Sequence, residues 1–310
     1  VQSGKRTYQD FYNEVTSIAN YLLSSGIQKG DKIAILSANM PNWGITQFAI
    51  ARIGAIAVPV LPGFSSIEIQ NILEHSESKI IFVSKLLYKL VADIKTSYLE
   101  QKILMNTFAR IPEDYPVEAI DKLENNIGLD NLTPLPAIQV EEEDTASIIY
   151  TSGTTGFSKG VELTHRNLVW NARQCATIQP VSIQDRFLSI LPLAHTYENT
   201  LGLLLPVMFG AQIYYLDRVP TPKLLVPAMQ KIRPTVMLSV PLIIEKIYNT
   251  AEHRDVGCLD EDLIQFRAYP EIIQSAGRKK TDADFRGKNR FLRYRWFENR
   301  SCSRTFSQRG

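Results

Sequence analysis

Hydrophobic and polar positions along the first part of the chain follow two periodicities in turn. Apolar residues recur at helical spacing through YQDFYNEVTSIANYLLSS and stop before Gly26, which is typical of a helix C-terminus. β-Branched and apolar runs predict strands at 32–37, 55–61 and 79–84, and helical patterns occupy 42–54, 66–78 and 85–95. Strands that alternate with helices of this length predict βαβ units on a parallel sheet.

The alternation resumes after residue 145. Strands are predicted at 146–150, 186–193, 211–216 and 235–240, and helices at 167–178, 200–209, 222–232 and from Pro241. The fold class expected from both halves is therefore α/β, with repeated βαβ units that form parallel sheets packed with helices.

A Pro-rich and acidic stretch, LTPLPAIQVEEEDT, interrupts this pattern. Its composition is typical of a solvated boundary, and Asp144 near its end is expected at the surface. We expect a first α/β subdomain over 1–140 and a second over 141–250, whereas 251–280 stays unassigned and 281–310 forms a basic tail.

The most unusual stretch is YTSGTTGFSKGV, which directly follows the predicted strand 146–150 and precedes a predicted helix. Ligands of α/β sheets bind outside the carboxyl ends of strands. Glycine-rich backbone N–H groups and hydroxyls bind phosphate oxygens there, and Lys159 supplies a compensating charge. Ser158 and Gly160 flank Lys159, so the Gly-Lys-Ser/Thr ending of a Walker A loop is excluded.

Composition narrows the class of protein. The 310 residues are 45% hydrophobic and 21% charged, which is typical of a soluble globular protein, and no apolar run reaches membrane-spanning length. The three cysteines and four histidines show no disulfide or metal-ligand spacing, so no metal ligand is predicted and a reducing cytoplasm is expected. Residues 277–310 contain 11 Lys and Arg but 3 Asp and Glu, whereas the other residues are net acidic.

Several motifs together resemble the adenylate-forming, or AMP-binding, superfamily. YTSGTTGFSKGV is similar to its phosphate-binding signature, with Ser158 where proline is usual, and LTHRNL follows at the expected distance. LPLAHTYE (191–198) and RPTVMLSVPLIIEKIY (233–248) resemble the next motifs in the long-chain fatty acid–CoA ligase branch. The opening through PNW is also similar, so the resemblance covers about 1–250.

The resemblance implies an enzyme that joins a fatty acid to AMP from ATP and then transfers the acyl group to coenzyme A, with Mg²⁺ as cofactor. It implies that the loop residues bind the ATP phosphates: Thr151, Ser152, Gly153, Thr154, Thr155, Gly156 and Lys159. It further implies that His195 gates or contacts the reacting groups, and that Tyr197 and Glu198 contact substrate.

Each of these roles has a structural alternative. Lys159 also fits a solvated loop lysine, and His195 a histidine that only satisfies local hydrogen bonds. Glu198 also fits the acidic first turn of a helix. The apolar helix 200–209 is expected in the core, with one face as a candidate wall of an acyl pocket.

The later motifs of the family, which hold magnesium and the ribose and form a small C-terminal domain, are not recognised in this sequence. We therefore expect an N-terminal fragment with incomplete activity. If Lys279 and Lys280 are encoded by a run of adenines, a shift of one base gives codons for 281–307 that resemble the family's next segment. The hypothesis is that 281–310 is off-frame and disordered.

Three other functions stay open, and one is a luciferase-like oxygenase, which would share the loop although no other feature of the sequence indicates it. An aryl- or amino-acid-activating member of the superfamily would share the loop and differ in its pocket. A nucleic-acid-binding protein would use the basic tail, where Phe, Tyr and Trp are interleaved with arginines. The expected partners are ATP, a fatty acid and coenzyme A, and no nucleic acid is expected. The expected location is the cytoplasm, where the protein could also contact a membrane surface.

Overall fold

The first sheet occupies the N-terminal half of the computed structural model, which describes residues 5–128, 132–151, 159–178, 180–216, 218, 220–245 and 293–295. Its seven strands have the order β5-β4-β3-β1-β2-β6-β7. The five central strands are parallel, and β5 and β7 add antiparallel edges. The strands are β1 Lys32–Leu36, β2 Ile56–Pro59, β3 Ser78–Val83, β4 Gln101–Leu104, β5 Ala109–Ile111, β6 Thr145–Thr151 and β7 Lys159–Thr164.

Helices cover both faces of this sheet, as expected for buried parallel strands. They are α1 Tyr8–Ser24, α2 Pro41–Arg52 and α3 Ser66–His75, with 3₁₀ turns at Tyr88–Leu90 and Val117–Lys122. Because side chains alternate along a strand, Ile33 and Ile35 of β1 pack in the core with α1 and α2. Ala34 and Leu36 face the other way and pack in the core with α3.

The second sheet has the order β11-β10-β8-β9, and only the β11–β10 pair is antiparallel. Its strands are β8 Arg186–Ser189, β9 Gln212–Tyr215, β10 Val236–Leu238 and β11 Arg293–Arg295. The helices are α4 His165–Ile178, α5 Thr196–Glu198, α6 Leu205–Met208 and α7 Pro222–Ile232, with a π-helical stretch at Asn199–Leu204 and helical residues at 241–245. Among the helices described, none is long and apolar enough to cross a bilayer.

The α/β class expected from the sequence is confirmed, whereas one predicted helix is wrong. The predicted helix 85–95 is a series of tight turns, because the Ser84 hydroxyl accepts the Ala38 N–H and does not cap a helix. The antiparallel pair β4–β5 was not predicted. Strand β6, which follows the expected boundary at residue 140, joins β2 of the first sheet, where the Ser147 hydroxyl donates to the Ala57 carbonyl at 3.1 Å.

The predicted basic tail, 281–310, lies outside the described residues except for Arg293–Arg295. The backbone of these three residues pairs with β10, so the expectation of no regular structure does not hold there. The free edge of β10 explains the difference, because its N–H and C=O groups can pair with an extended segment whatever its side chains.

Candidate functional site

Strands β6 and β7 form an antiparallel hairpin, and the sequence predicted to bind phosphate joins them. Thr151 is the last residue of β6, Lys159 is the first of β7, and the two are paired in register with exposed side chains. Strand β7 was not predicted; it lies between the loop and α4, the helix that the sequence predicts shortly after it. A signal for β7 was present, because Val161 and Leu163 alternate with polar residues through KGVELT.

The hairpin places a hydroxyl and an ammonium at the carboxyl end of β6, which is where α/β sheets bind ligands. This pair fits the negative charge of a phosphate. The other five predicted ligands lie outside the described residues: Ser152, Gly153, Thr154, Thr155 and Gly156. In the described part of the chain, no three or more His, Cys, Asp or Glu side chains form a group that could hold a metal ion, so we assign no Mg²⁺ ligand.

His195 lies at the start of α5, beyond the end of β8. Its Nδ1 accepts the backbone N–H of Tyr197 at 3.3 Å, which makes the imidazole a helix N-cap. The imidazole is exposed and Tyr197 is half-buried. The cap fits the structural alternative for His195, and the exposure of the residue is compatible with the gating role, which stays a prediction.

Glu198 is fully buried, and neither carboxyl oxygen has a hydrogen-bond partner among the described residues. Burial raises the pKa of Glu198 to about 8. The Ser189 hydroxyl opposes part of this rise, although the two groups do not form a hydrogen bond of normal geometry. Of the two sequence interpretations of Glu198, the structure shows the acidic first turn of a helix, here α5, whereas the substrate contact stays a prediction.

A cavity of about 770 Å³ lies between the β6–β7 hairpin, α4 and the start of the π-helical stretch. Its apolar wall includes Ile149, Leu163, Leu168 and Trp170. Its polar wall includes three residues next to or just after His195 along the chain: Thr196, Asn199 and Thr200. The structure therefore brings the His195 segment and the phosphate-loop hairpin to one cavity. The apolar helix predicted at 200–209 contributes to the core through the fully buried Leu203 and Leu205. It also contributes Thr200 to the cavity wall.

Asp144, expected at the surface, fixes the base of the hairpin. Its carboxylate forms an ion pair with Lys29 at 2.6 Å, and the Lys29 hydrogen bond lowers the pKa of Asp144. Its carbonyl accepts the backbone N–H of His165 at 3.2 Å, where α4 begins. Burial lowers the pKa of His165, which Asp144 opposes. Sequence reasoning also missed Asn39 and Gln47, whose buried amides reach the His195 segment from more than 140 residues away.

Comparison with known sequences identifies relatives of this arrangement. The family model described as AMP-binding enzyme matches residues 1–279. FadD15 of Mycobacterium bovis, a long-chain-fatty-acid–CoA ligase, is 32% identical over 251 residues, which are 77% of this chain and 39% of that protein. The medium-chain fatty-acid–CoA ligase of Escherichia coli K12 is 27% identical over 257 residues, 79% of this chain and 43% of that protein.

Solved structures share the fold. The inhibitor-bound N-terminal domain of FACL13 from Mycobacterium tuberculosis has a TM-score of 0.64 at 24% identity and covers 78% of this chain and 57% of that chain. ATP-bound MatB from Rhodopseudomonas palustris has a TM-score of 0.63 at 21% identity and covers 79% and 46%. The family match extends past residue 250, through the region 251–276 where the motif resemblance is weak.

Proposed function

Because this chain belongs to the family of AMP-binding enzymes, we propose that it carries the phosphate-binding and acid-binding parts of a fatty-acyl-CoA ligase. The chain spans 39% of the length of the M. bovis relative, so the complete activity is proposed for the whole protein. That activity joins a carboxylate to the α-phosphate of ATP, releases pyrophosphate, and transfers the acyl group to coenzyme A. One observation carries the proposal: a largely apolar cavity adjoins the hairpin that holds the phosphate-binding sequence.

The first step brings two anions together, so the protein must position them and neutralise their charge. Thr151 and Lys159 supply a hydroxyl and a cation at the carboxyl end of β6. We propose that they bind the ATP phosphates together with the loop residues Ser152, Gly153, Thr154, Thr155 and Gly156. The exposed imidazole of His195 contacts or gates the reacting carboxylate in this proposal, and its bond from the Tyr197 N–H holds the ring in place.

The acid is proposed to be a long-chain fatty acid. Ile149, Leu163, Leu168 and Trp170 give the cavity an apolar wall that excludes water from an alkyl chain. Its volume lies within the range of roughly 300–1,000 Å³ that is usual for small-molecule sites. The relatives named above act on long- and medium-chain fatty acids by their names. Tyr197 and Glu198 lie between the lining residues Thr196 and Asn199 along the chain, so we propose that they contact the substrate or support this wall.

Binding by this chain tests the proposal directly. Isothermal titration with ATP and, separately, with palmitate should give heat for each. Lys159→Ala should weaken ATP binding about tenfold or more, because one charge contact of about 1.4 kcal/mol is lost. Trp170→Ala should weaken palmitate binding and leave ATP binding unchanged.

Two substitutions provide matched controls. Lys89→Ala removes an exposed lysine from the 3₁₀ turn at 88–90, and Ile67→Ala removes an exposed apolar side chain from α3. Neither should change binding of either ligand. The proposal fails if the unaltered chain binds neither ATP nor palmitate, or if Lys159→Ala and Lys89→Ala weaken ATP binding equally. Titration with benzoate and with amino acids separates an aryl- or amino-acid-activating enzyme from a fatty-acid ligase.

A further inference from the structure

Two buried amides from the first sheet's layer hold the segment that contains His195. Asn39 follows β1, and its Nδ2 donates to the Ser189 hydroxyl at 3.0 Å and to the Leu191 carbonyl at 2.6 Å. Its Oδ1 accepts the Leu193 N–H at 3.0 Å. The Asn39 side chain therefore bonds to residues 189, 191 and 193, which lead to His195. Because Asn39 is buried, water does not compete for these hydrogen bonds.

Gln47 of α2 continues this attachment beyond His195. Its side-chain amide forms a reciprocal pair with the amide of Asn199: Asn199 Nδ2 donates to Gln47 Oε1 at 2.8 Å, and Gln47 Nε2 donates to Asn199 Oδ1 at 3.3 Å. Both side chains are buried. Asn199 lines the cavity, whereas Gln47 is not among its lining residues. Gln47 therefore acts on the cavity through Asn199.

Close packing one turn away fixes the same two helices. A Cβ built at Gly44 of α2 would lie 3.0 Å from Leu203 Cδ1, so the absence of a side chain allows the close approach. Gly44 contacts Leu203, and Gln47 contacts Asn199. Residue numbers therefore rise along α2 as they fall along the stretch 199–204, so the two segments are antiparallel. The apolar contact allows sliding along the helices, whereas the amide pair requires one register.

We propose that Gln47 is a positioning residue that sets the register of the π-helical stretch 199–204, whose first two residues belong to the cavity wall, and thereby the acyl chains that the cavity accepts. The part about acyl chains rests on the proposed function. The reciprocal pair forms only when the distance between α2 and the stretch 199–204 suits the length of a glutamine side chain. Asparagine is one methylene shorter and would not reach. Loss of the pair leaves a buried amide of Asn199 with fewer partners, and the wall is expected to move to satisfy it.

Hydrogen exchange in the full chain, without ligand, tests the positioning role. Gln47→Met keeps the size of the side chain and removes its polar atoms. Exchange of the backbone amides at 199–204, relative to those of β3, should become at least tenfold faster. The control is Asn42→Leu on the same helix, since Asn42 is equally buried but bonds to Met105 and Arg6 instead of the wall. The ratio should stay within twofold there.

The exchanged pair provides a rescue. The double substitution Gln47→Asn with Asn199→Gln keeps the summed length of the two side chains and should restore the exchange ratio, whereas each single substitution should not. An unchanged ratio in Gln47→Met, or the same increase in Asn42→Leu, would overturn the positioning role. A destabilised variant remains informative, because β3 reports global opening in the same sample.

Ligand selectivity provides the second readout. Binding of octanoate and palmitate is measured by titration for the unaltered chain, Gln47→Met and Asn42→Leu. The ratio of the two dissociation constants should change about fivefold or more in Gln47→Met and stay unchanged in Asn42→Leu. An unchanged ratio in Gln47→Met would overturn the link to acyl selectivity. If the unaltered chain binds neither acid, the fatty-acid proposal fails, while the exchange experiment still decides the positioning role.

Discussion

Replacing Glu198 by glutamine should stabilise the protein at neutral pH. The Glu198 carboxyl is fully buried beside the π-helical stretch and lacks a hydrogen-bond partner among the described residues, so burial raises its pKa to about 8. In the unfolded chain the same group titrates near its ordinary value of about 4.3. Between these two values the folded protein holds one proton more than the unfolded chain.

The sign and size of the effect follow from proton linkage. Because the folded state binds the extra proton, stability falls as pH rises between about 4.3 and 8, by about 1.4 kcal/mol per pH unit. From pH 5 to pH 7 the loss attributable to Glu198 is therefore about 2.5 kcal/mol. Glutamine has nearly the same shape and does not ionise, so this contribution is absent from Glu198→Gln.

Urea denaturation at pH 5, 6 and 7 measures the difference. Glu198→Gln should be the more stable protein, and its advantage over the unaltered chain should grow by about 2.5 kcal/mol between pH 5 and pH 7. Glu118→Gln makes the same chemical change at an exposed position and should stay within about 0.5 kcal/mol of the unaltered chain throughout. If the free energy of unfolding changes with pH in the same way in Glu198→Gln and in the unaltered chain, Glu198 is not a buried, protonated carboxyl.

Three further substitutions test other parts of the structure by urea denaturation. Gly202→Ala should cost about 1–3 kcal/mol, because the new Cβ would lie 2.5 Å from Glu198 Oε1; in a Glu198→Ala background the cost should disappear. Ser65→Ala should cost about 1 kcal/mol, because the capping box with Glu68 is lost, and an equal loss in Ser66→Ala would contradict that reason. Asn39→Leu should cost about 3 kcal/mol or more, since it leaves the buried Leu193 N–H without its partner; a loss under 1 kcal/mol would show that the segment finds other partners.

The sequence was informative wherever periodicity determines structure. Helix α7 begins and ends at the predicted residues 222 and 232, and the β-branched runs became β1, β2 and β3. The resemblance of the loop to a family signature also led to the family that the comparisons show. These features depend on neighbouring residues alone, which a linear pattern records.

Other features depend on contacts between distant residues. The turns at 85–95 replace a helix because Ser84 bonds to Ala38, and β6 joins the first sheet through Ala57. Burial of Glu198 could not be inferred from an acidic residue at a helix start. The amides of Asn39 and Gln47 belong to ordinary polar positions in the sequence, and only the fold brings them to the His195 segment.

The amide contacts of Asn39 and Gln47 also have a consequence for folding kinetics. Each joins residues about 150 positions apart, with separations of 150 to 154 along the chain. Contacts this distant require closure of a long loop, so they form after the local helices and hairpins. During synthesis, the His195 segment can form these contacts only after the chain has emerged beyond Asn199. It should therefore be among the last parts of the protein to become ordered.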